Sequence, residues 1–146
     1  GPVPATAGAV IEVIKRSGFE LSGKNVTVVG RSNIVGKPLA LLLLRENSTV
    51  TVCHTKTKNL PEKTKQADIV VVSAGKPKLL GEEYFRKESI VIDVGINFLE
   101  GKLCGDVDYD NVSEKVKAIT PVPGGVGPVT SIFLIKNLTV LMGLSK

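Results

Sequence analysis

A glycine-rich turn stands early in the chain, between a run of β-branched residues and a run of leucines. It reads Gly30-Arg31-Ser32-Asn33-Ile34-Val35-Gly36-Lys37-Pro38. A strand that enters a helix through such a turn points free backbone N–H groups, and the positive end of the helix dipole, at whatever lies above it. The turn therefore predicts a site for an anion.

Two known phosphate-binding motifs can be compared with this turn. A P-loop has the spacing G-x-x-x-x-G-K-[ST], whereas here five residues separate the glycines and a proline follows the lysine. This excludes nucleoside triphosphate hydrolysis. The dinucleotide fingerprint G-x-G-x-x-G fits at Gly30, but Ser32 and Val35 take its second and third positions. The serine hydroxyl can donate to a pyrophosphate, so the turn indicates a dinucleotide site, with a plain strand-to-helix turn as the alternative.

The segment that follows the second predicted strand carries hydroxyls and cations and no acid. It reads Val52-Cys53-His54-Thr55-Lys56-Thr57-Lys58. NAD-selective sites place an Asp or Glu near this point, where it accepts a hydrogen bond from the ribose 2′-hydroxyl. Here the next acid is Glu62, and Arg31 stands beside the first glycine. The pattern favours a 2′-phosphate and hence NADP over NAD, with an ordinary polar loop as the alternative.

His54 is the single histidine of the chain. It cannot join a multi-histidine metal site, and on a strand its neighbour Cys53 would face the other side of the sheet. No metal site is predicted.

Two further glycine-containing segments follow later strands. Gly95 directly follows the fourth predicted strand, where a ligand of an open α/β sheet can approach the backbone, although a simple turn explains it equally well. The stretch 121–128 holds three glycines and three prolines. Glycine loses more entropy on ordering than any other residue, so this composition is costlier than a connector needs and indicates ligand contact.

The elements that must position these turns alternate along the chain. Strands are predicted at Asn25–Val29, Thr49–His54, Asp68–Ala74, Ser89–Val94 and, as a fifth candidate, Ala118–Val122. Helices are predicted at 6–16, 36–46, 60–66 and 128–143. The continuous apolar runs at 69–72 and 90–92 suit strands that are covered on both faces. We expect one domain, residues 1–146, with a Rossmann-like, doubly wound, mainly parallel α/β sheet and helices on both faces.

The last of these helices, 128–143, is apolar around most of its circumference and carries one charge, Lys136. One face is expected to pack on the sheet and another against a further domain. The chain alone should then self-associate or bind a hydrophobic dye. A helix buried within this domain is the alternative.

Composition limits the classes of function. The net charge is +5 and the pI is near 9.3, which favours anionic partners. Aromatic residues make up 4% of the chain, too few for a platform that stacks single-stranded nucleic acid, so a phosphorylated small molecule is expected instead. The longest apolar run, Leu39–Leu44, is too short to span a membrane.

The two cysteines and the start of the chain bear on its origin. Cys53 and Cys104 are too few for a disulfide scaffold and predict reduced thiols in an intracellular protein. The start lacks both a signal peptide pattern and a Met, so we expect a chain that was processed or cut from a longer protein.

Six segments of the chain occur in the same order as the motifs of one known family. They are Pro4-Ala5-Thr6-Ala7-Gly8, the turn 30–38, Cys53-His54-Thr55-Lys56-Thr57, Asp93-Val94-Gly95-Ile96-Asn97, Gly105-Asp106-Val107 and Pro121-Val122-Pro123-Gly124-Gly125-Val126-Gly127-Pro128-Val129-Thr130. Together they resemble the methylenetetrahydrofolate dehydrogenase/cyclohydrolase family. The resemblance covers nearly the whole chain, its last segment is highly specific, and it corresponds to the family's second, NAD(P)-binding domain alone.

The resemblance implies roles for particular residues. Gly30, Arg31 and Ser32 are expected to hold the cofactor phosphates, Thr55 to contact the phosphate region on the adenosine side, and Ile96 to touch the nicotinamide end through its backbone. The folate should face the loop formed by Pro123, Gly124, Gly125, Val126 and Gly127. The family's catalytic Lys and Tyr, its activating Gln and a folate-binding Asp lie in its first domain, so no catalytic residue is expected in this chain.

The implied reaction oxidises 5,10-methylenetetrahydrofolate to the 5,10-methenyl form with NADP and hydrolyses the product to 10-formyltetrahydrofolate. Hydride transfer needs alignment of two carbons rather than a general acid, whereas the hydrolysis needs proton transfer. The chain alone is therefore expected to be inactive. The implied partners are tetrahydrofolate derivatives, the N-terminal catalytic domain and a second copy in a homodimer, with no nucleic acid or membrane.

The implied location is the cytoplasm, with the mitochondrion as an alternative. Two other interpretations of the chain stay open. One is a stand-alone dinucleotide-binding module without catalytic activity, and the other is the Rossmann half of a different dehydrogenase, such as a shikimate- or amino-acid-type enzyme. The loop at 121–130 argues against the latter.

Overall fold

The computed structural model describes residues 5–123 and residue 126, and in them strands and helices alternate as the sequence predicts. The helices are α1 (Ala5–Arg16), α2 (Gly36–Arg45), α3 (Leu60–Gln66), α4 (Tyr109–Val112) and a short 3-10 helix (Glu82–Tyr84). The strands are β1 (Asn25–Val29), β2 (Thr49–Cys53), β3 (Ile69–Val72), β4 (Ile90–Asp93), β5 (Asn97–Leu99), β6 (Lys102–Cys104) and β7 (Ala118–Ile119). The helix predicted at 128–143, with the patch expected on it, lies outside the described residues.

Five strands form a parallel sheet in the order β2-β1-β3-β4-β7. The chain runs from β1 outward to β2 and then returns to the other side of β1 to form β3. The strand order therefore reverses between β1 and β3, and open α/β sheets bind ligands at the carboxyl ends of strands beside such a reversal. This confirms the predicted Rossmann-like architecture.

Successive residues of the central strands pack into two separate cores, one on each face of the sheet. Ile69 and Val71 of β3 join the core that contains α1 and α2, whereas Val70 and Val72 join the core that contains Phe85 and Val112. All four positions of β3 are buried. The continuous apolar runs in the sequence are thus explained by a sheet that is covered on both faces.

The structure corrects the ends of several predicted strands. Four of them are shorter than predicted, and all four lose residues at the carboxyl end, where the chain leaves the ladder and a turn begins. The observed bounds are Thr49–Cys53 for the predicted Thr49–His54, Ile69–Val72 for Asp68–Ala74, Ile90–Asp93 for Ser89–Val94, and Ala118–Ile119 for Ala118–Val122.

A two-stranded antiparallel hairpin, β5–β6, was not predicted from the sequence. Its strands have three residues each and its side chains are largely exposed, so no apolar alternation marks them. Glu100 and Gly101 connect the strands, with φ of 52° and 78°. Two successive positive φ values are typical of the tight turns that match the twist of a hairpin.

Across the portion of the chain that the structure describes, every helix is too short or too polar to cross a membrane.

Candidate cofactor site

A cavity of about 400 Å³ opens where β1, β2 and β3 end, beside the reversal in strand order. Three turns meet there, one after each of these strands. The lining residues are Val29, Gly30, Arg31, Ser32, His54, Thr55, Thr57, Leu60, Ser73, Ala74, Lys76 and Leu79. Sequence-distant turns are thus brought to one place by the parallel pairing of three strands.

The first turn requires glycine at both ends. Gly30 has a φ of 125°, and a Cβ added to it would overlap the backbone carbonyl of Ser73 in the third turn. A Cβ on Gly36 would overlap the backbone carbonyl of Gly30 itself. Gly36 therefore allows the start of α2 to pack closely on the turn, which is the role of the last glycine in the dinucleotide fingerprint, although it stands one place later.

Ser32 shapes the first turn and leaves part of it open. Its Oγ accepts hydrogen bonds from the backbone N–H of Val35 at 3.1 Å and of Gly36 at 3.4 Å, and its carbonyl accepts from the N–H of Lys37 at 2.9 Å. Residues 31–34 are exposed, and within the described chain their N–H groups donate to no acceptor. These donors, together with the hydrogen of the serine hydroxyl, are available to an anion.

The second turn is held by bonds within itself. The N–H of His54 donates to Thr57 Oγ1 at 2.8 Å, and the N–H of Lys56 donates to His54 Nδ1 at 3.2 Å. Thr57 is therefore occupied in shaping the turn. The exposed side chain of Thr55 makes no hydrogen bond to any described residue, so its hydroxyl is available to a ligand.

The electrostatics of the cavity favour an anion. Arg31 and Lys76 both line it, and no aspartate or glutamate does so among the described residues. A site of this charge, with a hydroxyl from Thr55, suits a phosphate better than the bare ribose hydroxyls that an acidic residue would bind.

The third turn is held by a buried carboxylate, Asp106, which is fully shielded from solvent. Oδ2 accepts hydrogen bonds from the N–H groups of Ala74 at 2.7 Å and Gly75 at 3.0 Å, and Oδ1 accepts from the N–H of Lys76 at 3.0 Å. The side-chain amide of Asn97 adds another bond to Oδ1 at 2.8 Å. The carboxylate thus satisfies three successive backbone donors at the end of β3.

A second buried carboxylate, Asp93 at the end of β4, supports the first. It accepts hydrogen bonds from the N–H groups of Gly95 at 3.0 Å, Asp106 at 3.1 Å and Val107 at 3.0 Å. Its own N–H donates to Thr120 Oγ1 at 2.9 Å. Burial raises the pKa of Asp93 to about 6, although these three donors act in the opposite direction.

Each carboxylate also fills space that a glycine leaves free. A Cβ on Gly95 would overlap the carboxyl group of Asp106, and a Cβ on Gly105 would overlap that of Asp93. The Asp93-Val94-Gly95 and Gly105-Asp106 segments therefore pack against each other reciprocally. Because their side chains and glycines are matched in space, neither segment can shift without the other.

The structure brings together four of the predicted cofactor residues. Gly30, Arg31, Ser32 and Thr55 line one cavity. Ile96 lies outside this lining, on the exposed segment that follows β4, with 64% of its surface accessible. Whether any of them contacts a cofactor stays a prediction.

The predicted folate loop is described only in part. Pro123 is exposed, whereas Val126 is 8% exposed and packs in the core that contains α1 and α2. The Val126 side chain is therefore directed into the protein, and its predicted contact with a substrate would have to use its backbone. Gly124, Gly125 and Gly127 lie outside the described residues.

Sequence reasoning missed Lys76 and gave Asp93 and Asp106 no role of their own. A signal for the two acids exists in the pairing of Asp93-Val94-Gly95 with Gly105-Asp106, because acids next to glycines after apolar strands are candidates for buried hydrogen-bonded groups. No comparable signal marks Lys76, one of 19 Lys and Arg residues.

Within residues 5–123 and 126, no cluster of three or more His, Cys, Asp or Glu side chains could hold a metal ion. Cys53 and Cys104 are free thiols, and burial raises the pKa of Cys53. A thiol shielded in this way is a poor nucleophile.

Known proteins resemble this chain in both sequence and structure. Residues 4–145 match the family model of the tetrahydrofolate dehydrogenase/cyclohydrolase NAD(P)-binding domain. The bifunctional protein FolD of Lachnoclostridium phytofermentans is 60% identical over 138 residues, which cover 94% of this chain and 49% of that protein. The chain thus spans about half the length of the curated relatives it matches.

Two crystal structures give the same result. The bifunctional FolD methylenetetrahydrofolate dehydrogenase/cyclohydrolase of Campylobacter jejuni superposes with a TM-score of 0.86 at 46% identity, over 98% of this chain and 51% of that one. The enzyme of Trypanosoma brucei, complexed with NADP and an inhibitor, has a TM-score of 0.80 at 43% identity, over 97% and 50%. Sequence, fold and the turn at the strand reversal agree, and the chain belongs to the family of tetrahydrofolate dehydrogenase/cyclohydrolase NAD(P)-binding domains.

Proposed function

We propose that this chain binds NADP in preference to NAD through Gly30, Arg31, Ser32 and Thr55. The observation that carries the proposal is the charge of the cavity, which Arg31 and Lys76 line without any described carboxylate. An NAD site would need an acid to accept from the ribose 2′-hydroxyl, whereas a 2′-phosphate needs cations and hydroxyl donors.

The described residues fit a dinucleotide at this place. The free N–H groups of residues 31–34 and the start of α2 suit a pyrophosphate. A side chain at Gly30 would strike the third turn, so the close packing of the first and third turns around the cavity depends on glycine there. The Trypanosoma brucei relative was crystallised with NADP, which supports the same cofactor here.

In the wider proposal the chain is the cofactor-binding half of an enzyme that oxidises 5,10-methylenetetrahydrofolate and hydrolyses the resulting 5,10-methenyl form to 10-formyltetrahydrofolate. The bound cofactor supplies the acceptor for a hydride. The residues of this chain bind and orient the nicotinamide, and we assign Ile96 to the nicotinamide end and Pro123, Gly124, Gly125, Val126 and Gly127 to contact with the folate, as the resemblance implies. Alignment of the nicotinamide carbon with the folate carbon that gives up the hydride accounts for a large part of the catalysis of such a step.

We assign the proton transfer of the hydrolytic step to the family's N-terminal domain. Relatives twice as long as this chain support this division, since the matched half accounts for 49% of the Lachnoclostridium protein. A stand-alone dinucleotide-binding module is the alternative, and it would bind the cofactor in the same way without serving any folate chemistry.

Calorimetric titration of the chain with NADP and with NAD tests the cofactor assignment. NADP should bind at least tenfold more tightly, because the 2′-phosphate gains a charge-assisted contact worth about 1.5–3 kcal/mol. Equal affinities, or tighter binding of NAD, would show that the cations of the cavity do not hold a 2′-phosphate.

A second experiment tests the division of labour. The chain alone should hydrolyse no methenyltetrahydrofolate, while the same chain joined to the N-terminal domain of a FolD relative should do so. In the joined protein, Arg31→Met should lower the dehydrogenase rate at limiting NADP and leave the hydrolysis unchanged, which makes it the matched control. Turnover by the pure 146-residue chain would overturn the assignment.

The homodimer is also proposed, and the hairpin offers a surface for it. Phe98, in the middle of β5, is 74% exposed, and Leu99 and Leu103 beside it are about 40% exposed. Among the described strands, β5 and β6 pair only with each other. Sedimentation of the wild type and of Phe98→Asp should show a dimer and a monomer respectively. A monomeric wild type at high concentration would contradict the proposal.

For location we propose the cytoplasm, with the mitochondrion as the alternative. The proposal is supported by Cys53 and Cys104, which are free thiols and therefore suit a reducing compartment. Cell fractionation with an antibody against the chain would decide between the two.

A further inference from the structure

We propose that Asp106 is a positioning residue of the cofactor site: its carboxylate takes the place of a bound anion in the turn after β3 and thereby holds Lys76 against the cavity. The inference rests on the proposed cofactor site, because Lys76 matters only if an anionic ligand occupies that cavity.

The geometry of the third turn is that of an anion site. Three consecutive N–H groups, those of residues 74–76, converge on one carboxylate at 2.7–3.0 Å. Gly75, with a φ of 71°, lets the backbone curl so that they do. Successive N–H groups that converge in this way form a concavity that binds anions in many proteins. In this chain the anion is a side chain.

Asp106 is itself held in place from several directions. Its N–H donates to Asp93, the Asn97 amide donates to its carboxylate, and Gly95 leaves the space that the carboxylate fills. The carboxylate therefore has one position, and the turn that it binds has one position with it.

The consequence for the cavity lies in two residues of the third turn. Lys76 donates its N–H to Asp106 and is one of the two cations among the residues that line the cavity. Ser73, just before the turn, lines the cavity as well and packs against Gly30 through its carbonyl. Loss of the internal anion would release the backbone that carries this cation, without touching the ligand directly.

The first test removes the internal anion and then replaces it from solution. In Asp106→Ala the N–H groups of residues 74–76 face the space that the carboxylate leaves, and a formate ion has the size and charge of that carboxylate. NADP affinity should fall about tenfold and should recover in sodium formate. Sodium chloride at equal ionic strength and neutral formamide should not restore it, because only a carboxylate reproduces both the charge and the two oxygens.

Asp110→Ala is the matched control for the loss of one negative charge. Asp110 is exposed and takes no part in the hydrogen bonds of either buried carboxylate. Its NADP affinity should equal that of the wild type, and formate should have no effect on it.

The second test asks whether Asp106 acts through Lys76. Lys76→Met should weaken NADP about tenfold in the wild type and hardly at all in Asp106→Ala, since the cation is already misplaced there. Residues that act as a unit show such non-additive effects, whereas independent ones add.

The outcomes separate the inference from the proposed function. A wild type that binds no NADP would refute the proposed cofactor site. A wild type that binds NADP would refute the positioning role if Asp106→Ala binds equally well, if formate fails to restore binding, or if the two substitutions add. Should Asp106→Ala not fold, Asp106→Asn keeps the volume and removes the charge, and it replaces Asp106→Ala in the double-mutant cycle with Lys76→Met. Because Lys76 is exposed, Lys76→Met tests the link in a folded protein, and unchanged NADP affinity would overturn it.

Discussion

The turns after β1 and β3 lie side by side at the same edge of the sheet, and they use similar backbone geometry in opposite ways. In the first turn the N–H groups of residues 31–34 are exposed and donate to no described acceptor. In the third turn the N–H groups of residues 74–76 are all bound by the carboxylate of Asp106. One turn is open to an external anion, and the other already contains one.

A turn rich in backbone donors is therefore available to a ligand, or serves as a structural support, according to whether the rest of the chain provides an acceptor. The hydroxyl of Ser32 is neutral and accepts only from the N–H groups of Val35 and Gly36. The carboxylate of Asp106 accepts from all three N–H groups of residues 74–76 and from the Asn97 amide. The two turns also touch, because Gly30 packs against the carbonyl of Ser73. A rigid third turn therefore forms one wall of the open first turn.

The contact between the two turns can be broken by Gly30→Ala. The added methyl group would strike the backbone of Ser73, and a φ of 125° is unfavourable for any L side chain. We expect the free energy of unfolding in urea to fall by about 4 kcal/mol. Gly81→Ala is the control, because its methyl group would meet only the flexible end of Glu83. Equal losses in both variants would contradict a specific contact between the turns.

The burial of the Asp93 carboxylate should make the free energy of unfolding depend on pH. Burial raises the pKa of Asp93 from 3.8 to about 6, so the folded chain binds this proton more tightly than the unfolded chain. The contribution of Asp93 to stability is therefore highest below about pH 4 and is lost as the pH rises to about 6, by up to about 3 kcal/mol.

Urea unfolding of wild type and Asp93→Asn at several pH values measures this contribution. The variant does not titrate at this position, so acidification from about pH 7 to about pH 4 should favour the wild type over it by up to about 3 kcal/mol. Asp110→Asn at the exposed acid serves as the control and should show no such change. A constant difference between wild type and Asp93→Asn would mean that Asp93 is not buried as a carboxylate.

The open turn can be probed at its cation. Arg31→Met should weaken NADP by about 10- to 100-fold, because a charge-assisted hydrogen bond contributes about 1.5–3 kcal/mol, and should leave NAD nearly unchanged. Arg45→Met, at the far end of α2, removes the same charge away from the cavity and should change neither affinity. Parallel losses for NADP and NAD would place Arg31 on a phosphate that both cofactors share.

The smallest effect is expected at the neutral acceptor of the open turn. Ser32→Ala removes the oxygen that accepts from the N–H groups of Val35 and Gly36, so the free energy of unfolding should fall by about 1 kcal/mol. Ser22→Ala, in an exposed turn, should change it by less than about 0.5 kcal/mol. If Ser32→Ala were as stable as Ser22→Ala, the hydroxyl would not be shaping the turn.

The open turn could be predicted from the sequence because all its signals are local. An apolar strand, a glycine, a short polar stretch and a leucine-rich helix follow one another within 25–45, and the structure has β1, the turn and α2 in those places. The absence of an acid after β2 is equally visible in the printed residues. These signals can be recognised in the sequence because each of them involves residues that are adjacent in the chain.

The third turn, whose donors are occupied by Asp106, could not be predicted in this way. The donors at 74–76 and their acceptor, Asp106, are 30–32 residues apart. The hairpin β5–β6 lies between Gly95 and Gly105, and its short exposed strands carry no periodic signal. Lys76 has the same appearance as any other surface lysine until the turn is built.

The alternating elements, the burial of both faces of the sheet and the candidate anion site after β1 follow from the amino-acid sequence, because each depends on apolar periodicity or on residues that are adjacent in the chain. Which backbone donors are free and which are occupied follows from the packing of the folded chain. That choice depends on the pairing of β3 with β4, which brings Asp93 beside the end of β3, and on the hairpin that returns Asp106 to the same edge. A buried carboxylate is stable there because the fold supplies the donors that replace water.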